Sequence, residues 1–437
     1  MAVAIVGAGV AGLATSIFLK RSGLDVDVLE RAPTLEAVGS GIMLQPSGMA
    51  VLKELGLLDK CLRKGAPLKG VLGTSKLSER LILDTRYSHW KSGAHGLGIH
   101  RSVLLNVLYE EARHCGVNFF FGASVSDFVV GEEVNITVTE RIPSPECKSE
   151  LVEIISTRQT SGKYEALILA SGRNSTLQYK SPIQHRATPY TWGALWATVE
   201  LPDRLNHSVL RQWYKQSRQM FGIMPIGEAV DSTQRLCSLF WSRPVGDPTE
   251  LFGPGGTLES WKQEVRALVG AEANPLLEQL QSEDQFSLAT YTDIEMPDWH
   301  CDRVLAIGDC AHSMSPQLGQ GANMGLVDAM TIAEVIIDRE IARESQVLHW
   351  PEIFSQYSKS RRKHLAYYQS ASRHLTPLFQ SSSCITPIIR DAFLLAAQHI
   401  GFARNHAVTT LIGGRTGWLA STGPKVPLHF WDGSAPE

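Results

Sequence analysis

Residues 2–30 read AVAIVGAGVAGLATSIFLKRSGLDVDVLE, and this stretch decides the fold of the first part of the chain. Apolar runs at Ala2–Val6 and Asp25–Glu30 predict two strands. Between them, apolar residues recur at helical spacing, and Gly23 stands where a helix would end. The stretch therefore predicts a strand, a glycine-rich turn, a helix and a second strand.

The turn carries the glycine motif of a dinucleotide-binding unit. Gly7 permits a tight turn, Gly9 lets the backbone approach a pyrophosphate, and Gly12 lets helix and strand pack closely. The amino terminus of the helix then faces the anion. Glu30 ends the second strand 18 residues after Gly12, where a carboxylate binds the hydroxyls of a ribose. These features favour FAD or NAD over NADP in a Rossmann-like unit.

A second segment, RVLAIGDCAHSMSPQLGQGAN at residues 303–323, distinguishes the two cofactors. The sequence predicts a strand over Arg303–Asp309 that delivers the Asp309 carboxylate to the hydroxyls of a ribityl chain. Two glycines then precede a predicted helix over Ala322–Ile337. Its amino terminus would face the flavin N1–C2=O edge, which becomes negative on reduction. The second segment therefore indicates FAD.

With these motifs, the chain resembles the single-component FAD-dependent aromatic hydroxylases, the p-hydroxybenzoate hydroxylase-like family. Within that family it is similar to the polyprenyl-methoxyphenol (ubiquinone-type) hydroxylases. The likeness covers most of residues 1–375 and includes GSGIMLQPSG at 39–48 and the pair His100-Arg101. The resemblance implies non-covalent FAD held by Gly7, Gly9, Gly12, Glu30, Arg31, Gly41, Ile42, Arg101, Gly308, Asp309, Pro316, Gly319, Gly321, Ala322 and Asn323.

Within this set, the resemblance assigns the first glycines and Glu30 to the ADP half. It places Arg101 near the pyrophosphate and the ribityl chain, and residues 316–323 beside the isoalloxazine. His312 is interpreted as structural rather than as a proton-transfer residue. The family usually has an Asp-Gly pair where this chain has Ser171-Gly172-Arg173. Arg173 could contact a cofactor or only solvent, so the choice between NADH and NADPH stays open.

The predicted architecture is an α/β FAD-binding domain, residues 1–181 and 286–375, interrupted by an antiparallel-sheet substrate domain at 182–285. Residues 72–96 are expected to contribute to the substrate domain, and 376–437 form a helical carboxyl-terminal extension without clear periodicity. The predicted strands of the inserted sheet are Trp192–Val199, Gln219–Ile226 and Leu236–Trp241. Residues 258–282 are predicted to be helical, and 143–149 a surface loop or hairpin tip.

Strand alternation proposes which side chains face the substrate. One face of the first inserted strand carries Trp192 and Trp196, and the next strand adds Met220 and Met224. The alternative is that the tryptophans belong to an ordinary core. Many relatives have an arginine near the position of Trp196, and this chain has none. A neutral aromatic or polycyclic substrate is therefore expected rather than one anchored by a carboxylate.

Composition and missing motifs exclude other classes. The net charge of −3 gives no basic field for nucleic acid. Seven scattered cysteines form no metal-ligand spacing, so no metal is expected. The sequence shows neither a signal peptide nor a transmembrane apolar run, and a cytoplasmic protein is expected. The Gly-x-Ser-x-Gly elbow of hydrolases and the Trp-x-Trp-x-Ile-Pro signature of flavin halogenases are also missing.

The function expected from the resemblance is an FAD-dependent monooxygenase that uses NADPH or NADH and O₂, through a flavin C4a-hydroperoxide. Its substrate would be an aromatic or electron-rich small molecule, and hydroxylation is the default outcome. Epoxidation, oxidative dearomatisation and Baeyer–Villiger insertion stay open on the same scaffold. So do two other classes, a flavin oxidase or dehydrogenase and a non-catalytic flavin binder. The sequence names no catalytic residue, because the cofactor carries the difficult step, and it predicts no oligomeric state.

Overall fold

The computed structural model describes residues 2–35, 40–142, 154–158, 164–246, 250–253, 255–341 and 348–419. Its helices are α1 (Val10–Arg21), α2 (Pro46–Glu54), α3 (Leu58–Lys64), α4 (Arg101–His114), α5 (Leu177–Lys180), α6 (Leu258–Val269), α7 (Asn274–Leu277), α8 (Asp309–His312), α9 (Gly321–Ile341), α10 (Trp350–Phe379), α11 (Thr386–Ala397) and α12 (Gly401–Leu411).

The strands of the first half are β1 (Ala2–Val6), β2 (Asp25–Glu30), β3 (Gly41–Leu44), β4 (Ala66–Leu68), β5 (Gly70–Ser75), β6 (Arg80–Arg86), β7 (Gly96–His100), β8 (Asn118–Phe121), β9 (Ala123–Val130), β10 (Val134–Ile142), β11 (Ile154–Arg158) and β12 (Tyr164–Leu169). Those of the second half are β13 (Arg186–Pro189), β14 (Trp192–Glu200), β15 (Leu210–Lys215), β16 (Gln219–Gly227), β17 (Leu236–Pro244), β18 (Phe286–Ala289), β19 (Thr292–Glu295), β20 (His300–Cys301) and β21 (Val304–Ala306).

The first sheet is built around β1. Parallel pairing gives the order β8-β2-β1-β12-β21, and β9, β10 and β11 extend the sheet as antiparallel strands. The middle of β1 is fully buried, since Val3, Ala4 and Ile5 are inaccessible to solvent. Parallel strands covered on both faces read as continuous apolar runs. The carboxyl edge of this sheet carries the glycine turn that follows β1.

Glycines follow three helices, one of them at Gly23, where the sequence predicts a helix end. Gly23, Gly56 and Gly116 have φ angles of 82°, 71° and 83° and follow α1, α2 and α4. Left-handed backbone is favourable for glycine, which lacks a Cβ. The predicted helix end at Gly23 is confirmed.

The second sheet has the strand order β18-β14-β17-β16-β15-β5-β6. Strands β14, β16 and β17 confirm the three predicted antiparallel strands, whereas β15 was not predicted. The strand pair β5–β6 comes from a distant part of the chain and joins the sheet through parallel pairing of β5 with β15. One face of this sheet packs on α6, where Leu195, Ala197 and Val199 share a buried cluster with Trp261 and Val265.

A small sheet of β3, β7 and β4 lies against the other face of the second sheet. The contact is very close. A methyl group added at Gly98 would lie 1.9 Å from the Pro225 carbonyl oxygen, and one at Gly41 would lie 2.3 Å from a methyl carbon of Ile226. The glycines of β3 and β7 therefore let β16 lie close to residues 39–48, one of the segments that carry the family resemblance.

Two sequence predictions need correction. The predicted strand Arg303–Asp309 is regular only over Val304–Ala306, because Gly308 adopts a φ of 60° and Asp309 begins α8. The helical region 258–282 is broken after Val269, where Gly270 has a φ of 96°. Strand β9 was not predicted. The predicted loop 143–149 lies outside the described residues.

Helices α10, α11 and α12 form the carboxyl-terminal part of the described chain, and a helical segment there is confirmed. Helix α11 contacts β6 and α10, and α12 contacts β6 and the turn at Tyr87–His89. The extension is therefore packed against the second sheet near the close contact with β3 and β7.

Among the described residues, no helix combines the length and apolarity needed to cross a membrane.

Candidate functional site

The glycine turn after β1 is shaped by two close backbone approaches. Gly7 has a φ of 108°, and its N–H donates to the Leu29 carbonyl at 2.8 Å. A methyl group at Gly12 would lie 2.0 Å from the carbonyl oxygen of Gly7. Any side chain at Gly12 would therefore push α1 away from β1. The turn brings the amino terminus of α1 to the edge of the first sheet.

Gly9 differs from these two glycines because it faces open space. Apart from Gly9 itself and its two chain neighbours, no atom lies within 4 Å of the position that a Cβ would take. Gly9 is the amino-terminal cap of α1, no side chain caps this end, and its first turn holds no acidic residue. The first N–H groups of α1 therefore have no side-chain acceptor, and such groups bind phosphates. An open cradle lined by unpaired N–H groups fits a pyrophosphate.

Glu30 stands beside this cradle and braces it. Its two carboxylate oxygens accept hydrogen bonds from the Ala8 N–H at 2.8 Å and from the Ala32 N–H at 2.9 Å. Each oxygen has a second lone pair, so the carboxylate can also accept from ribose hydroxyls. Arg31 is exposed and makes no ion pair with a described residue.

Asp309 lies at the start of α8, on the far side of the glycine turn. Its side chain is exposed and bonds to no described residue, and a methyl group at Gly321 would lie 3.5 Å from one of its oxygens. Gly325 of α9 packs on Ala11 of α1, with Gly308 beside them. The free carboxylate therefore stands where the amino termini of α1 and α9 approach each other, and this arrangement suits a chain of hydroxyl groups.

The loop that leads into α9 is tied to β3 by one buried side chain. The Asn323 amide donates to the carbonyls of Met43, at 3.1 Å, and Gly319, at 2.9 Å, and its oxygen accepts from the Gln45 N–H at 2.8 Å. Gly319 has a φ of 60°, and Pro316 begins the 3₁₀ turn before it. Asn323 therefore holds the loop before α9 against β3. Gly321 and Ala322 begin α9 and are partly exposed.

Arg101, Gly41 and Ile42 lie together through the pairing of β3 with β7. Gly41 pairs with His100, and Arg101 follows as the first residue of α4. The Arg101 side chain is exposed and makes no ion pair with a described residue. An unpaired guanidinium at this position can contact a phosphate bidentately.

His312 belongs to a buried ionic network. Its Nε2 lies 2.6 Å from Asp328, and the Arg361 Nε donates to the same carboxylate at 2.8 Å. The Gly308 N–H donates to Asp328 as well, at 2.9 Å. Burial alone would raise the pKa of Asp328, but His312 and Arg361 hold it well below its ordinary value. The network supports the structural interpretation of His312, because it fixes the loop that presents Asp309.

Sequence reasoning missed Gln45, which follows β3. The Tyr87 hydroxyl donates to the Gln45 side-chain oxygen at 2.6 Å, and the Gln45 amide nitrogen is buried without a partner among the described residues. That nitrogen lies 3.7 Å from the position of a Cβ on Gly319. An unpaired buried donor costs free energy unless a ligand satisfies it. The flavin pyrimidine ring carries carbonyl oxygens, so this donor also fits the cofactor.

Apolar side chains occupy the face of the second sheet that points toward β3. Together with Met43 of β3 and with Val408 and Ile412 they form one cluster, which we call the inner cluster; its members from the second sheet include Trp196, Met220, Met224 and Phe240. The Trp196 indole donates to the Tyr291 hydroxyl at 3.2 Å and lies 5.0 Å from the Phe240 ring. Three of the four predicted substrate residues therefore meet near β3. Trp192 is buried at the start of β14 but is not part of this cluster.

Arg173 is a cation close to the aromatic pair Trp196–Tyr291. Its Nε is buried and has no partner among the described residues. Burial raises the pKa of Tyr291, while the hydrogen bond from Trp196 and the charge of Arg173 oppose that rise. The structure therefore brings Arg173 toward the inner cluster, a position that the sequence could not specify.

The carboxyl-terminal segment is the second element that sequence reasoning missed. The Ser47 N–H at the start of α2 donates to the Ile412 carbonyl at 3.1 Å. The Gln320 amide donates to the Leu411 carbonyl at 2.8 Å, and Val408 and Ile412 belong to the inner cluster. Residues 408–413 thus bridge the loop before α9 and the start of α2. No periodic motif marks them, so the sequence carried no usable signal.

The comparisons with known proteins agree with this geometry. The family model described as "FAD binding domain" matches residues 1–365. The chain is 27% identical to 3-amino-4-hydroxybenzoate 2-monooxygenase of Streptomyces cremeus, covering 82% of this chain and 86% of the relative. It is 24% identical to 3-hydroxybenzoate 6-hydroxylase 1 of Aquipseudomonas alcaligenes, with 85% and 87% covered.

Among solved structures, the fold is similar to that of Klebsiella pneumoniae HpxO complexed with FAD and uric acid. The TM-score is 0.72 at 18% identity, and the match covers 95% of this chain and 98% of the other. The predicted class, a Rossmann-like α/β unit with an inserted antiparallel sheet and a helical carboxyl-terminal segment, is confirmed.

Proposed function

The chain belongs to the FAD binding domain family of p-hydroxybenzoate hydroxylase-like enzymes, and from this premise we propose that it hydroxylates a neutral aromatic or electron-rich small molecule. It is an FAD-dependent monooxygenase that consumes NAD(P)H and O₂. When bound, FAD supplies the redox chemistry, accepting a hydride and passing one oxygen atom of O₂ to the substrate. The residues of the chain would bind FAD, orient the substrate and shield the site from water.

The cofactor would be held along the edge of the first sheet. The free N–H groups of α1 would bind the pyrophosphate at Gly9, and Glu30 would accept from the ribose hydroxyls. Asp309 would accept from the ribityl hydroxyls, and Arg101 would balance phosphate charge. Gln45, oriented by Tyr87, would donate to the pyrimidine edge of the flavin. Except for Glu30, each assigned group (for Gln45, the amide nitrogen) has no hydrogen-bond or ion-pair partner among the described residues. Glu30 has partners, but its oxygens can accept further hydrogen bonds.

The inner cluster supports a neutral substrate. Its side chains are apolar or aromatic, so a ring would be held by shape and by contacts with Trp196 and Phe240. A substrate carboxylate would need a paired cation, because burying an isolated charge is costly. Arg173, whose charge acts on Tyr291, is the cation that would orient a polar substituent there.

Oxygen transfer also requires that water be kept out of the substrate site. The close approach of β16 to β3 and β7 removes solvent on one side, and residues 408–413 cover another. Orientation of two reactants can lower a barrier by as much as ~7–11 kcal/mol. No protein base is required by this arrangement, and none is assigned.

The observation that carries the proposal is the pairing of an open phosphate cradle at Gly9 with an apolar cluster beside the loop before α9. The test is to purify the protein, identify the flavin it releases on denaturation, and screen NADH and NADPH oxidation against phenols, indoles and polyketides. FAD, and oxidation that a substrate stimulates, are expected. A colourless protein that does not take up added FAD would end the proposal.

A further inference from the structure

A broad apolar surface stands at the carboxyl-terminal end of the described chain. We define the C-terminal apolar face as eight side chains, each between 40% and 67% exposed: Leu77, Leu81, Ile385, Ile388, Ile389, Phe393, Ile400 and Phe402. Scattered exposed apolar residues are ordinary on proteins, whereas contiguous ones mark interaction sites. The face takes no part in the site described above.

Helix α11 is inverted with respect to an ordinary surface helix. Ile388, Ile389 and Phe393 recur at helical spacing and point to solvent, while the opposite side of the same helix buries Arg390 and Asp391. The Arg390 guanidinium donates to Asp391 at 2.7 Å and to the Gln216 carbonyl at 2.8 Å. This buried ion pair fixes the rotation of α11, so the apolar side cannot turn inward.

Hydrogen bonds join the helices to the β5–β6 hairpin, which completes the face. The Gln398 amide donates to the Ile82 carbonyl at 2.6 Å and to the Leu81 carbonyl at 3.3 Å. The Ser75 hydroxyl at the end of β5 donates to Asp391. Leu77 and Leu81 therefore lie beside α11 on one continuous surface.

The unpaired charges named around the face are positive. Between residues 380 and 419 the only acidic residue is Asp391, which is buried and paired. Arg80 and Arg404 are exposed and make no ion pair with a described residue. Glu79, the acid of the hairpin turn, pairs with Lys76 at 3.8 Å. Arg80 adjoins Leu81, and Arg404 lies one helical turn after Ile400. An apolar surface with these unpaired arginines beside it is complementary to an anionic, apolar partner.

We propose that the C-terminal apolar face docks on the surface of a lipid bilayer that contains anionic lipid. The apolar side chains would enter the boundary between headgroups and acyl chains, and the two arginines would meet lipid phosphates. A second copy of the chain complements the face less well. A two-fold interface sets the same patch against itself, which would place arginines near arginines without an acid to neutralise them.

The test is flotation of the full chain with vesicles of phosphatidylcholine alone or mixed with phosphatidylglycerol. The protein should float with the mixed vesicles and more weakly with the neutral ones. Ile389→Gln with Phe393→Gln should weaken binding at least about tenfold, because glutamine keeps the helix but not the apolar contact. Arg80→Gln with Arg404→Gln should weaken binding to the mixed vesicles roughly fivefold for each arginine.

Val129→Gln serves as the matched control, since Val129 is a well-exposed apolar residue on β9 of the other sheet. Flavin content and melting temperature show that each variant is folded. Vesicle binding that the Ile389/Phe393 variant retains in full overturns the proposal. A full chain that binds neither kind of vesicle also overturns it. If such a chain forms a dimer that the Ile389/Phe393 variant dissociates, the face binds a second copy of the chain and not a membrane.

Discussion

At the scale of single residues, Gly9 and Gly12 separate a ligand contact from a packing contact. Gly9→Ala adds a methyl group in open space at an ordinary φ of −78°, so the fold should be kept while the phosphate is displaced. Gly12→Ala places a methyl group 2.0 Å from the Gly7 carbonyl oxygen and should destabilise the protein itself.

FAD titration and thermal melting of the FAD-free protein measure this pair of variants. Gly9→Ala should lower FAD affinity with little change in melting temperature, and Gly12→Ala should lower the melting temperature. Normal FAD affinity in the Gly9 variant would show that no phosphate approaches this turn.

Glu30 is expected to act both as a ligand and as a brace. Glu30→Ala removes acceptors for ribose hydroxyls, and hydrogen bonds to a charged group are worth ~1.5–3 kcal/mol, or roughly 10–150-fold in affinity. It also frees the Ala8 and Ala32 N–H groups, so melting temperature should fall. Glu30→Gln keeps one acceptor oxygen and should show a smaller loss. If only the melting temperature falls, the carboxylate is a brace and not a ribose ligand.

Asp328 is expected to stabilise the segment Gly308–His312, which carries Asp309. Asp328→Asn leaves the buried Arg361 without its counter-charge, and removing one partner of a buried pair costs ~3–5 kcal/mol of unfolding free energy. Asp338→Asn is the control, because Asp338 lies exposed on the same helix. Denaturant unfolding compares the two variants, and equal stabilities would contradict the role of the network.

The pH dependence of stability has a defined sign here. The pKa of Asp328 is lowered in the folded protein, so its contribution is present above the unfolded value of about 4 and is lost as pH falls below it. The Asp328→Asn variant should lack this acid-sensitive part of the stability.

At the scale of elements, strand β14 separates substrate contacts from core contacts. Leu195 packs against α6, and Trp196 belongs to the inner cluster on the opposite face. Trp196→Ala should loosen substrate orientation and admit water, so NAD(P)H is oxidised while hydrogen peroxide replaces the oxygenated product. Leu195→Ala should cost ~2–5 kcal/mol of stability and leave coupling intact. The reverse pattern would mean that the substrate lies on the α6 side.

Elements with strong local signals were predictable. Strand β1, α1 and β2 follow from periodicity and glycines alone, because buried parallel strands and helix ends leave plain residue patterns. Strand β15 and helices α11 and α12 were not individually predicted. Their positions depend on distant partners, such as β5 for β15 and the Asp391–Ser75 bond for α11, which local patterns do not encode.

At the scale of the whole molecule, the sequence predicted the class of site but not its enclosure. The FAD motifs lie in contiguous segments, so their chemistry could be read directly. The enclosure depends on Gln45 with Tyr87, on Arg173 near Tyr291, and on Ile412 bonded to Ser47, residues far apart in the chain. Such pairs form only when the sheets pack together. We propose the same domain division as the sequence did, with β5 and β6 assigned to the inserted sheet.

The central claim is that this chain transfers an oxygen atom from O₂ to a small molecule, and isotope labelling tests it most directly. The protein with FAD, NAD(P)H and a substrate from the panel that stimulates oxidation is run under ¹⁸O₂, and the product mass is measured. One ¹⁸O atom in the product is the expected result. An oxidised product that carries no ¹⁸O, with hydrogen peroxide formed in equal amount to that product, would contradict it and identify a flavin oxidase.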